Sequence, residues 1–360
     1  MTLRPLFATA LLSLLAACSD SAPPTAVEPA AAPADTAATV AAEPNFDQPA
    51  GPVVVYSSRQ EYLIKPIFDR FTEETGIEVQ LQTGEEGPLI ARLQAEGAAT
   101  FADILYTVDA GNLWSAANKG LLSPLDSPTL TANIPANLRD PANQWFGLSV
   151  RARTIVYSTA RVQPTELSTY EALAGPQWKG RLCLRTSKKV YNMSLVATMI
   201  DRLGAEKTEE VVKGWVANLA TGPMSSDNLI VQAIAAGQCD VGIVNTYYLG
   251  QEQQNDPTIP VALYWPNQTE SGVHVNISGA GLTANAKHRD AAVKLLEWLS
   301  SPEPQQLFSE LNLEYPASPA VAPVALVQGW GEFKPDPINV EVAGRLQAEA
   351  VKLMDRAGYR

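Results

Sequence analysis

The sequence predicts an α/β protein of two lobes, and three observations carry that prediction. From Val53 onward, short apolar runs alternate with amphipathic ones, the pattern of layered strands and helices. The stretch from about residue 46 to residue 360 exceeds one typical domain length and can support two cores. Two long apolar segments, near residues 148–157 and 273–278, fall mid-chain where strands crossing between lobes would lie. The middle segment then forms one lobe, and the segments on either side meet to form the other.

Each element has its own signal. Val53-Val54-Val55-Tyr56 reads as a buried strand, and in LIKPIFDRFTEETG the residues Ile64, Ile67, Phe68 and Phe71 recur at helical spacing. Pro66 suits the first turn of that helix and Gly76 its C-terminal cap. IEVQLQ alternates with period two and reads as a strand; a helix follows near LIARLQAEG, then a strand at ADILYTV and a helix over about 110–119. FGLSVRARTIVYS fits one long strand. RLCLRTS reads as a strand, with YNMSLVATMIDRLG and TEEVVKGWVANLA as helices after it. Asp227 is placed to cap NLIVQAIAAG, Gly237 to end it, and CDVGIVN to follow as a strand. VHVNISGAGL reads as a strand ending in a Gly-rich turn. DAAVKLLEWLS and PEPQQLFSELN are helices, and a last helix spans about 340–356.

The N-terminus predicts export. MTLRPLFATALLSLLAAC has an early Arg, an apolar core too short to span a bilayer, and a small-residue cleavage site, so residues 1–17 read as a lipoprotein signal peptide. Leu-Ala-Ala-Cys resembles a bacterial lipobox, with Cys18 as the lipidation site. Residues 18–45 are Ala, Pro, Thr and Ser with scattered acids, too poor in apolar surface to fold, and read as the lipid anchor and a tether. The chain is then periplasmic and held to the membrane by lipid alone. The two remaining cysteines, Cys183 and Cys239, are expected to pair in an oxidising compartment. Lys and Arg number 26 against 38 Asp and Glu, and the net charge of -12 argues against nucleic acid as a partner.

Several motifs together resemble the ferric-iron-binding proteins of ABC importers: YSSRQEYLIKP, FADILYTVDAGNLW, WFGLSVRARTIVYS, STYEALAGPQWKG, VYNMSLVA, AAGQCDVGIVNTYYLGQ and VNISGAGLTANA. Their order covers most of residues 53–320. The resemblance implies a type II periplasmic-binding-protein fold, with residues 46–152 and 276–325 as the N-terminal lobe and 153–275 and 326–360 as the C-terminal lobe. It also implies a monomer that hands iron to an inner-membrane permease and its ATPase, and a binding protein rather than an enzyme.

Ferric iron is small and hard, so oxygen donors suit it, and three phenolates would cancel its charge. The metal ligands implied are Tyr191 and the adjacent pair Tyr247 and Tyr248, each following a predicted strand, where ligands of open α/β sheets bind. Each tyrosine segment begins eight residues beyond a cysteine, so a Cys183–Cys239 bond would tie together the two strands that lead into them. Where some family members carry His or His-Tyr after the first strand, this chain has Gln60, Glu61 and Tyr62. Gln60 is a poor ligand for ferric iron, Glu61 a suitable one, and Tyr62 either faces the cleft or packs. Open positions on the metal would be filled by a synergistic anion, carbonate or bicarbonate, held by Arg151 and Arg153 on one strand, with Arg59 a third candidate. His274 and His288 read as structural or solvated.

Two other readings share the fold. In one, the tyrosines line a pocket for an organic anion or amine and Arg151 holds a carboxylate. In the other, the cleft belongs to an enzyme with Glu61 as general base, although no GxSxG, HExxH or phosphate-loop motif is present.

Overall fold

The computed structural model describes residues 51–360, so the signal peptide, Cys18 and the tether lie outside the described residues. The described residues form nine strands: β1 (Val53–Ser57), β2 (Val79–Thr83), β3 (Ile104–Thr107), β4 (Phe146–Ser158), β5 (Leu182–Cys183), β6 (Val241–Asn245), β7 (Val261–Tyr264), β8 (Val275–Leu282) and β9 (Tyr315–Pro316). They pair in the order β2-β1-β3-β8-β4-β6-β5, and β7 and β9 also join β4. The pairs β1–β2, β1–β3 and β5–β6 are parallel, each with a helix crossing between the strands, as parallel pairing requires.

β4 is the element the two lobes share. Its thirteen residues are buried throughout. From Phe146 to Ala152 it pairs with β8, and from Arg153 to Tyr157 with β6. The partner therefore changes between Ala152, opposite Val275, and Arg153, opposite Asn245. Apolar side chains fill both faces of each half-sheet. On one face Val53, Val55, Ile104 and Phe146 meet Ile64, Phe68 and Leu295 in one lobe, and Ile155, Val241 and Ile243 meet Leu195, Val212 and Trp215 in the other. Val54 and Leu105, and Val156 and Val244, belong to the opposite faces.

The expected helices are present, including Glu61–Thr75 with Gly76 in the left-handed C-cap. Four local expectations change. Asp227 is not the cap of the helix Asp227–Ala235; Ser226 is, its Oγ accepting the Leu229 N–H, and Asp227 is turned inward. The glycines of ISGAGL belong to β8, not to a turn, because a Cβ on Gly279 would lie 2.5 Å from the Phe146 carbonyl oxygen. RLCLRTS forms only the two-residue β5. The last helix breaks at Leu346 into Val342–Arg345 and Gln347–Arg356.

Cys183 and Cys239 are disulfide-bonded across a sequence separation of 56, joining β5 to the turn that leads into β6. In the chain-entropy model a loop of that length stabilises the fold by about 4 kcal/mol. Replacing both cysteines with serine should lower the unfolding free energy by about that amount in guanidinium melts, with no difference between oxidising and reducing buffer in the variant.

Candidate functional site

The tyrosines sit where strands give way to helices. β6 ends at Asn245 and the helix Thr246–Asn255 begins at once, so Tyr247 and Tyr248 lie in its first turn. Tyr191 lies in the first turn of the helix Val190–Leu203. The phenol oxygens of Tyr247 and Tyr191 are 3.4 Å apart, and the rings of Tyr247 and Tyr248 have centroids separated by 4.4 Å. Asn245 Nδ2 donates to the Tyr247 oxygen at 3.1 Å, and Arg185 Nη1 to that of Tyr248 at 3.4 Å. Two adjacent phenols reach one place because the chain turns from strand to helix just before them.

These three residues form one wall of a cleft of about 370 Å³. Ser58, Arg59, Gln60, Tyr62 and Glu314 line the other wall, with Arg151 between. Burial pushes the Tyr247 phenol well above its ordinary range, and the neighbouring phenols of Tyr191 and Tyr248 add to the shift. The Tyr248 phenol is pushed up to about 12, mainly by burial and then by Tyr191 and Asp227, against the opposing effect of Arg185. Both are neutral in the empty cleft at pH 7.

The cations around the phenols divide by what already holds them. Arg59 is buried and forms a bidentate pair with Glu314, at 2.6 and 3.2 Å, while donating to Ser278. Arg151 donates to the Val108 carbonyl and lies 3.7 Å from Asp109, whose carboxyl burial raises to about 6; its Nη1 is buried without a partner. Arg185 lies 3.6 Å from Asp227, with its Nε unpartnered. The guanidinium carbons of Arg185 and Arg151 stand 5.1 and 5.6 Å from the Tyr191 ring centroid. Lys189, paired with Glu86 at 3.3 Å, adds another charge on the rim.

Two expected site residues are placed differently. Arg153 does not line the main cleft: it turns into the C-terminal half-sheet, where it binds Asp227 at 2.9 Å, Asn192 at 2.6 Å and Asn245 at 2.9 Å. Asp227 is fully buried and requires a charged partner, which Arg153 supplies. Glu61 opens the helix Glu61–Thr75 and lines an outer hollow with Lys65 and Asp69 rather than the cleft of the tyrosines. Tyr62 lines the cleft mouth but is 70% exposed. Arg185 and Glu314 were not anticipated; Arg185 could have been suspected from its place two residues after Cys183, on the way to Tyr191. His274 is buried beside Thr198 and His288 pairs with Asp103, both outside the cleft. Among the described residues no cluster of three His, Cys, Asp or Glu side chains is arranged to hold a metal.

A model of the family described as bacterial extracellular solute-binding protein matches residues 67–335. This chain belongs to that family. It is 43% identical over 314 residues to iron uptake protein A2 of Synechocystis, covering 85% of this chain and 89% of the relative. A solved Trichodesmium protein (IdiA, FutA) in complex with iron and citrate ligands matches with a TM-score of 0.82 and 45% identity, over 86% of this chain and 100% of that one. Mannheimia haemolytica ferric iron-binding protein A, solved in an open conformation, matches with a TM-score of 0.80 and 39% identity over 86% and 99% of the two chains. The solute-binding protein thus has the type II fold, two α/β lobes joined by hinge strands. Among the described residues no helix is long and apolar enough to cross a membrane.

Because Arg153 neutralises a fully buried carboxylate, Arg153→Ala should destabilise the solute-binding protein by about 3–5 kcal/mol in denaturant melts. A surface arginine such as Arg356, in an exposed pair with Glu209, should change stability by about 1 kcal/mol or less when replaced the same way.

Proposed function

We propose that this solute-binding protein captures ferric iron in the cleft between its lobes and delivers it to an ABC importer, a permease with its ATPase in the inner membrane. The observation that carries the reading is the convergence of three phenols, Tyr191, Tyr247 and Tyr248, beside arginines with unused donors. Three phenolates match the charge of Fe(III) and its preference for oxygen. The relatives that carry iron in their names support the same cargo. The protein is a receptor, not an enzyme, and works as a monomer.

An anion completes the site in this reading. Once iron and three phenolates cancel, Arg151 and Arg185 on the cleft lining still carry positive charge, and a planar oxyanion such as carbonate or bicarbonate offsets it. Arg59 contributes less, because Glu314 already holds it. The lobes are residues 46–152 with 276–325 and residues 153–275 with 326–360. Lipid on Cys18 and the tether over 18–45 keep the receptor in the periplasm near its permease.

A visible absorption titration with ferric citrate in bicarbonate buffer tests this. One equivalent should raise a broad phenolate-to-iron band, weakened or lost in Tyr247→Phe and Tyr248→Phe. No band between mildly acidic and mildly basic pH would return the cleft to the organic-anion reading. The sign of the pH dependence follows from the raised phenol pKa values of Tyr247 and Tyr248: both hold protons in the empty cleft, so binding releases them and acid opposes it. Apparent affinity should fall about tenfold per pH unit for each phenol proton displaced, measured by chelator competition.

A further inference from the structure

The helix that carries the tyrosine pair also carries a glycine for which the metal chemistry has no use. Gly250 is buried in the helix Thr246–Asn255, and a Cβ there would lie 2.6 Å from Leu313 Cδ1 and 3.0 Å from Trp330 Cζ2. A Cβ at this position requires the Leu313 side chain to shift and Trp330 to give by a few tenths of an ångström. The two sides of the contact belong to different lobes. Leu313 follows the helix Pro302–Asn312 and precedes β9, which pairs with Ser149 and Val150 in the N-terminal half of β4. The glycine helix follows β6, which pairs with the C-terminal half.

Leu313 is 3% exposed and has φ 56, the left-handed conformation of a helix C-cap, with its N–H donating to the Ser309 carbonyl at 3.0 Å. The flanking residues show where the contact sits. Tyr247, Tyr248 and Gln251 line the cleft on the glycine side, and Asn312 and Glu314 line it on the leucine side. Gly250 and Leu313 therefore meet where the two walls of the cleft come together. Trp330 closes the contact from a third direction, its Nε1 donating to Gln253 Oε1 at 3.0 Å.

We propose that the Gly250–Leu313 contact is the stop against which the lobes close, and that the missing side chain at position 250 sets how firmly the closed protein retains its cargo. On this proposal the contact is broken when the lobes open about β4 and β8, so it adds to the closed state alone and biases the equilibrium towards it. On the same proposal a side chain at position 250 holds the lobes apart while the three phenols remain together on one lobe. The inference rests on the cleft being the iron site.

The test compares wild type with Gly250→Ala, Gly250→Val and the double variant Gly250→Val/Leu313→Ala. Three readouts are used: the tyrosinate band on ferric loading, the rate of iron loss to excess EDTA, and the radius of gyration by small-angle scattering with and without iron. The expected result is a retained band with iron release about tenfold faster in the valine variant, intermediate in the alanine variant, and a loaded valine form that stays as expanded as the empty one. Leu313→Ala in the valine background should return both release and compaction towards wild type. Alanine favours a helix over glycine, so faster release from Gly250→Ala cannot come from a weaker helix, and that variant decides the matter if the valine form does not fold. Wild-type release and compaction in the glycine variants, or faster release that Leu313→Ala fails to reverse, would overturn the inference. A wild-type protein without a tyrosinate band would instead overturn the iron reading beneath it.

Discussion

The rest of the structure depends on β4 running unbroken through two half-sheets. Its hydrogen bonds pass from β8 to β6 between Ala152 and Arg153, so one continuous strand belongs to both lobes. Motion between lobes must therefore bend strands rather than unpair them. The backbone at the crossing is held closely: the Arg153 N–H donates to the His274 carbonyl at 2.9 Å, and the Tyr170 hydroxyl donates to the Arg153 carbonyl. His274 stays neutral there, because burial pushes its imidazole down to about 3 and Arg153, Arg151 and Arg202 oppose a further positive charge. The hinge thus carries no group that changes charge near pH 7 on the imidazole side.

The partner change also explains why two arginines on one strand have different roles. Arg151 and Arg153 have the same parity, and strand geometry alone sends both to one face. Arg151 lies on the segment paired with β8, opposite Asn276, and faces the space between lobes. Arg153 lies on the segment paired with β6 and is drawn to Asp227 inside the second lobe. The pattern of residues gave the face correctly but could not give the lobe. Other misses have the same origin. Glycines 279 and 281 look like a turn until Phe146 and Gln144 carbonyls are seen pressing on the strand, and Asp227 looks like a cap until its buried ion pair is known. What was legible from local signals was the long strand at Phe146–Ser158 and the helix starts that carry Tyr191, Tyr247 and Tyr248; the convergence of those phenols in one cleft followed from the family resemblance. Glu314 and Leu313 were not legible, because their importance lies in contacts with residues far away in sequence.

Charge in the cleft follows a consistent logic. The chain carries a net charge of -12, yet the cleft is lined by Arg59, Arg151, Arg185 and Lys189, with Glu314 as the acid on its wall. Buried phenolates without a cation would be costly, so Tyr247 and Tyr248 stay protonated until a metal displaces their protons, and the remaining surplus is positive. A bare cation entering such a site meets repulsion until protons leave, whereas a cation arriving with its own anions does not.

All three phenols come from one lobe, and this separates capture from closure. Tyr191 follows β5, Tyr247 and Tyr248 follow β6, and the disulfide fixes the approach to both strands. A metal shell tolerates errors of only a few tenths of an ångström in its donors, so fixing these strands relative to each other has more value than fixing either to the opposite lobe. The opposite lobe contributes Arg59 and Glu314, already bound to each other, and the backbone that presents Leu313. On the iron reading, the C-terminal lobe therefore presents the phenol donors before the lobes meet, and closure governs how long the cargo stays. The phenols then supply the chemistry of capture and the closure contacts add to retention, which lets a receptor hold iron tightly and still give it up to a permease that opens it.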